Sequence, residues 1–120
     1  MKGLIFLAHG SRREKSNNEV RELADSIRER TTSSFDIVEA AFLELVSPSL
    51  SDAFDRMLSR GAQSITVYPY FLNSGKHVDQ DIPVVVEEYR ARFPEREFIV
   101  CAHFGASDAV PGMIIDQLDG

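Results

Sequence analysis

Two histidines and a glutamate are the side chains of this 120-residue sequence best suited to chemistry. His9 closes the apolar run Leu4-Ile5-Phe6-Leu7-Ala8 and is followed directly by Gly10 and Ser11. His77 ends the segment Gly75-Lys76-His77, and Glu44 follows the mostly apolar stretch from Phe35 to Leu43. Neutral imidazole with a carboxylate suits a first-row divalent metal. An incomplete ligand set leaves positions open for exchange, as a transfer site requires. The same groups can exchange protons near neutral pH. Arg12, Arg13, Lys15 and Lys76 lie close to these residues in sequence, a local basic excess that favours an anionic ligand. Taken singly, each of these groups reads first as an ordinary strand-end or solvated side chain. Their meaning depends on whether the fold gathers them.

The hydrophobic pattern says how it could. The run Leu4–Ala8 reads as a buried strand, and residues 35–43 and 64–70 read as two more, with Ile37, Val38, Ile65 and Val67 at their cores. Glu97 to Ala102 is the fourth, and it contains Cys101 as a buried small apolar residue. Between them, Val20, Leu23, Ala24 and Ile27 recur at helical spacing, with Ser16 and Glu19 as a capping-box pair, so a helix is predicted over 16–30 and broken by Thr31-Thr32-Ser33-Ser34. Ser47-Pro48 reads as the start of a second helix ended by Gly61, with Leu50, Ala53, Phe54, Met57 and Leu58 on one face. Asp81-Ile82-Pro83 opens a third, burying Ile82, Val85, Val86, Tyr89 and Phe93 before Pro94. Ser107 or Asp108 caps a last helix with Val110, Ile114 and Leu118.

Strand and helix thus alternate four times, which argues a doubly wound α/β fold: a four-stranded parallel sheet, order 2-1-3-4, with helices on both faces. Strands one and three are then central neighbours, and their connections leave on opposite faces to open a ligand crevice. His9, Glu44 and the loop from Phe71 to His77 all fall at that rim. His103 ends strand four and takes a structural or surface role.

Composition narrows the rest. One domain over 1–120 is expected, since no linker, repeat or low-complexity tract divides the chain. The net charge of −6, without a Lys/Arg-rich run, argues against nucleic acid. Apolar runs of only a few residues argue against a membrane span. Met1-Lys2 leads straight into the first strand, leaving no room for a signal peptide, and the single cysteine fits the reducing cytoplasm.

Three blocks carry a resemblance: Leu7-Ala8-His9-Gly10-Ser11-Arg12; Phe42-Leu43-Glu44-Leu45 ahead of Ser47-Pro48-Ser49-Leu50; and Tyr68-Pro69-Tyr70-Phe71-Leu72 with Gly75-Lys76-His77-Val78 leading to Asp81-Ile82-Pro83. Together they resemble the short, single-domain sirohydrochlorin cobaltochelatases, related to the sirohydrochlorin nickel- and ferrochelatases. The second and third blocks are the more specific, because a glycine-histidine loop ahead of Asp-Ile-Pro is rarer than His-Gly-Ser. The resemblance implies a chelatase-like fold and insertion of a divalent metal, Co2+ with Ni2+ or Fe2+ as options, into sirohydrochlorin in cobalamin or related tetrapyrrole biosynthesis. It implies no cofactor beyond that metal. It makes His9 and His77 the metal ligands and adds Glu44 as a further active-site acid, the pyrrole protons passing to one of the histidines or to Glu44. Longer relatives carry two such domains fused, so this chain is expected to pair as a homodimer. His103 lies outside the matching motifs.

On that reading Ser11, Arg12, Arg13, Asn73, Ser74, Gly75 and Lys76 bind the tetrapyrrole, its peripheral carboxylates pairing with the basic groups. Leu45, Phe71 and Leu72 offer apolar contact to the ring faces. The alternative is a non-catalytic metal carrier using the same histidines. A histidine phosphotransfer enzyme would carry arginine where Ala8 stands, and no Gly-x-Ser-x-Gly elbow supports a serine hydrolase.

Overall fold

The computed structural model describes residues 1–31 and 34–120, with the backbone alone described at His77. Thr32 and Ser33 of the expected helix breaker therefore lie outside the described residues. Strands β1 (Lys2–Ala8), β2 (Ile37–Phe42), β3 (Ser64–Pro69) and β4 (Glu97–Val100) form one parallel sheet in the expected order β2-β1-β3-β4. Helices α1 (Glu14–Arg30), α2 (Leu50–Ser59), α3 (Ile82–Arg92) and α4 (Val110–Asp119) follow the strands in turn.

Alternation along the strands gives the sheet two unlike faces. On one, Ile5, Leu7, Ile65, Val67 and Phe98 are buried with Leu50, Phe54 and Met57 of α2 and with Ile82, Val86 and Tyr89 of α3. Each large side chain sealed there contributes about 1.5–3 kcal/mol. Gly3 lies under α2, where an added Cβ would stand 2.5 Å from the Met57 sulfur. The other face carries Leu4, Phe6, Tyr68 and Tyr70, and α1 packs over it on the β2 side.

Several element boundaries differ from expectation, each for a local reason. The second helix is capped at Ser49, whose hydroxyl accepts from Asp52 N while the Asp52 carboxylate accepts from Ser49 N; Ser47-Pro48 stay in the connection. The capping pair was present, two residues further on. Helix α1 begins at Glu14, so Ser16 and Glu19 sit inside it. Leu23, expected in the core, is exposed. His77 was expected in a loop but begins a π-helical turn (His77–Asp81) that runs directly into α3, with Pro83 in the first turn as predicted. β4 ends at Val100, which leaves Cys101 half-buried beyond the strand; burial pushes its thiol pKa up. Helix α4 forms, but it buries none of its residues. No helix is long and apolar enough to cross a membrane among the described residues.

Candidate active site

The rim at the carboxyl ends of β1 and β2 is built by backbone first. Pairing continues beyond the strands: Leu43 N donates to Ala8 O at 3.0 Å and Glu44 N to His9 O at 3.1 Å. This brings the Glu44 peptide flat against Gly10, whose φ of 97° is left-handed. A Cβ on Gly10 would stand 2.0 Å from the Glu44 carbonyl oxygen, so only glycine fits. Leu45 then takes φ 70°, which turns the chain away.

With both backbones fixed, Nε2 of His9 lies 2.6 Å from Oε1 of Glu44. Both side chains remain half exposed, so the pair is open to a ligand. It can hold one proton between imidazole and carboxylate, or present nitrogen and oxygen together to a cation.

The π-helical turn (His77–Asp81) reaches the Glu44 side of this rim. Its last residue, Asp81, lines a cleft of about 310 Å³ together with Glu44, Leu43, Ser49 and Val85. The end of that turn thereby shares a cleft with Glu44, while the side chain of His77 itself lies outside the described residues. Among the described residues no group of three His, Cys, Asp or Glu side chains converges as a metal site. Asp81 is the residue that the sequence reading treated as a helix opener alone; its helical spacing from His77 was the available signal.

Around the rim, Leu45 and Leu72 are 61% and 71% exposed, so both offer apolar surface to a ligand rather than to the core. Phe71 differs, since it packs partly against the hydrophobic core. Arg12, Arg13, Asn73, Ser74, Gly75 and Lys76 are all exposed. Ser11 is occupied by the turn it starts: its hydroxyl accepts from Arg13 N at 3.0 Å. Asn17, unassigned from sequence, braces that turn from the first part of α1. It is 2% exposed, its carbonyl accepts from Ser11 N at 3.0 Å, and its amide donates to Ser11 O at 2.8 Å. It sits three residues before Val20 and seven before Ala24, on the buried stripe, where an amide must have partners. His103 is half-buried beside Val78, Ile82 and Cys101 in a different cavity.

A doubly wound parallel sheet with an imidazole–carboxylate pair beyond the carboxyl ends of β1 and β2 defines a class of α/β proteins that take their ligands at that edge of the sheet. Within that class the chain belongs to the CbiX family, whose family model matches residues 3–120. It is 33% identical over 116 residues to the chloroplastic sirohydrochlorin ferrochelatase of Arabidopsis thaliana, covering 97% of this chain and 51% of that protein. It is 35% identical over 89 residues to a sirohydrochlorin cobaltochelatase of Methanococcus maripaludis, covering 74% of this chain and 60% of that one. The chain thus spans between half and two thirds of these curated relatives. The crystal structure of a cobalamin (vitamin B12) biosynthesis CbiX protein from Marinobacter aquaeolei VT8 superposes with a TM-score of 0.74 at 28% identity, covering 99% of this chain and 95% of that one.

Proposed function

We propose that this chain, working as one domain over 1–120, is an enzyme that inserts a divalent metal, Co2+ first, into sirohydrochlorin. The observation that carries the proposal is the 2.6 Å His9–Glu44 contact at the carboxyl ends of β1 and β2, with Asp81, the last residue of the turn that begins at His77, lining a cleft with Glu44. Relatives named for cobalt and iron insertion into sirohydrochlorin support it.

Insertion exchanges two pyrrole N–H protons of the macrocycle for one M2+ ion. The site must therefore hold the cation loosely and take up protons. His9 and His77 hold the metal with open coordination positions, so the ring nitrogens can replace its remaining ligands. Glu44 draws the His9 proton as the metal arrives and releases it to solvent, and it then passes the two pyrrole protons to solvent one after the other as the metal leaves. Leu45 and Leu72 lie against the ring faces, and Arg12, Arg13 and Lys76 pair with its peripheral carboxylates. No cofactor beyond the metal enters this scheme. The chain works as a homodimer in the cytoplasm, a reading supported by relatives of about twice its length and by its single, half-buried cysteine.

The test is spectral. Purified protein is mixed with sirohydrochlorin and Co2+, Ni2+ or Fe2+ in turn, and the visible spectrum is followed. Accelerated conversion to the metallated spectrum is expected. Metal binding without any spectral change of the tetrapyrrole would make the chain a carrier and overturn the proposal.

A further inference from the structure

The loop that leaves the carboxyl end of β3 is anchored at both ends by backbone hydrogen bonds. At its start, Gly105 N donates to Phe71 O at 2.9 Å. Gly105 lies so close to the next peptide that an added Cβ would stand 1.6 Å from the Leu72 carbonyl oxygen. At the far end, Asp79 N donates to Gly75 O at 2.8 Å, which joins the loop to the π-helical turn. Asn73 and Ser74 lie between the two anchors, and both are exposed. Leu72 is therefore an apolar side chain, 71% exposed, on a peptide backed directly by another peptide.

The backing comes from a short 3-10 turn (Phe104–Ala106) that follows β4. Ala106 N donates to His103 O and Ser107 N to Phe104 O, which closes the turn on itself. The Phe104 ring packs on Tyr70, with centroids 5.4 Å apart, and seats the turn against the loop. Gly105 does not adopt the left-handed backbone of Gly10 and Gly61. Close approach to Leu72, rather than a special conformation, is what requires glycine here. A side chain held outward on such a support has little freedom to lose when a ligand meets it, so the contact is preorganised.

We infer that Gly105 is a positioning residue for tetrapyrrole binding. Its missing Cβ lets the turn after β4 seat against the Leu72 peptide and hold that side chain as a fixed apolar wall for the ring. Gly105 touches neither ring nor metal and acts through Leu72. A Cβ at this position must displace the Leu72 peptide. The displacement is taken up before Gly75, whose carbonyl is tied to the π-helical turn. The turn that begins at His77 keeps its place, and metal binding is preserved. The inference rests on the chelatase reading, which supplies sirohydrochlorin as the ring that meets Leu72.

The experiment measures binding of metal-free sirohydrochlorin from its visible spectrum, alongside Co2+ binding and the kcat and KM of insertion. Gly105→Ala should weaken sirohydrochlorin binding and raise its KM by about tenfold, with Co2+ affinity and kcat unchanged. A variant that was only less stable would instead lose kcat at constant KM. Gly112→Ala, on α4 with open space at its Cβ position, should match wild type. Leu72→Ala should weaken sirohydrochlorin binding by about fivefold. Adding Gly105→Ala to it should cost little more, because both act through one side chain. Should Gly105→Ala not fold, Phe104→Ala loosens the same turn without a clash and should give the same split between sirohydrochlorin and Co2+. Wild-type sirohydrochlorin binding in Leu72→Ala or in the variant that loosens the turn, or additive losses in the double variant, overturns the inference alone. Wild-type protein that leaves sirohydrochlorin unbound overturns the proposed function and this inference together.

Discussion

Nε2 of His9 stands 2.6 Å from Oε1 of Glu44, and Gly10, the residue after His9, gives the Glu44 peptide room to lie alongside. The contact joins the ends of two strands that are adjacent in the sheet but 35 residues apart by number (44 − 9). A proton or a cation placed there is shared by two strands at once.

His9→Ala should lower the rate of cobalt insertion into sirohydrochlorin by about a hundredfold, since a metal-holding and proton-relaying group is lost. Glu44→Gln keeps the shape but cannot take a proton, and a fall of about tenfold to a hundredfold is expected. The visible spectrum of the tetrapyrrole measures both. Wild-type rates in either variant would remove the pair from the mechanism.

Gly10→Ala should damage stability and site together. It places a Cβ on a left-handed residue and against the Glu44 carbonyl oxygen. The backbone strain alone costs about 1–3 kcal/mol, and relief of the clash must push Glu44 away from His9. Urea unfolding should show the lost stability, and metal titration should show weaker binding in the fraction that remains folded. Gly61→Ala is the control: it shares a positive φ of 91° but has open space at its Cβ position, so only the stability should fall.

Asn17→Ala should cost about 1–3 kcal/mol, because the Ser11 peptide loses both partners where water reaches poorly. The turn carrying Arg12 and Arg13 is then free to move. A higher KM for the tetrapyrrole with little change in kcat is the expected signature. Unchanged KM would separate that turn from substrate binding.

Tyr89 sets an alkaline limit. Burial pushes its phenol pKa up, and its hydrogen bond to Asp55 at 2.7 Å raises it further, since that bond needs the proton. The folded state therefore holds the proton more tightly than the unfolded chain does. The resulting stability is fully present below the ordinary tyrosine pKa and is lost as pH rises through the folded value. Thermal unfolding from pH 8 upward should show wild type losing stability faster than Tyr89→Phe. Parallel curves would show that Tyr89 does not link folding to pH.

Much of this was legible in the sequence because it is written in local periodicity. The strand residues Ile5, Leu7, Ile65 and Val67 and the helix face Ile82, Val86 and Tyr89 are buried as their spacing requires. The succession of strand and helix along the chain likewise agrees with the parallel sheet. The helix starts were read less well. Ser16 with Glu19 and Ser49 with Asp52 look alike as capping pairs, and which one caps depends on where the chain leaves the sheet. Asn17 looked like one more polar residue near a helix start, and its partner is the backbone of Ser11, a group that has no letter of its own.

The sequence by itself determined the elements, their faces and the residue types able to hold a metal, since these follow from side-chain chemistry and spacing of a few residues. Tertiary structure alone decided that Glu44 meets His9, that Asp81 shares the Glu44 cleft, and that Gly105 backs the Leu72 peptide. Those outcomes turn on backbone approaches, Gly10 against Glu44 and Gly105 against Leu72, in which a missing Cβ lets two distant segments touch. The letter G records the absence of a side chain; only the fold shows which peptide occupies the space.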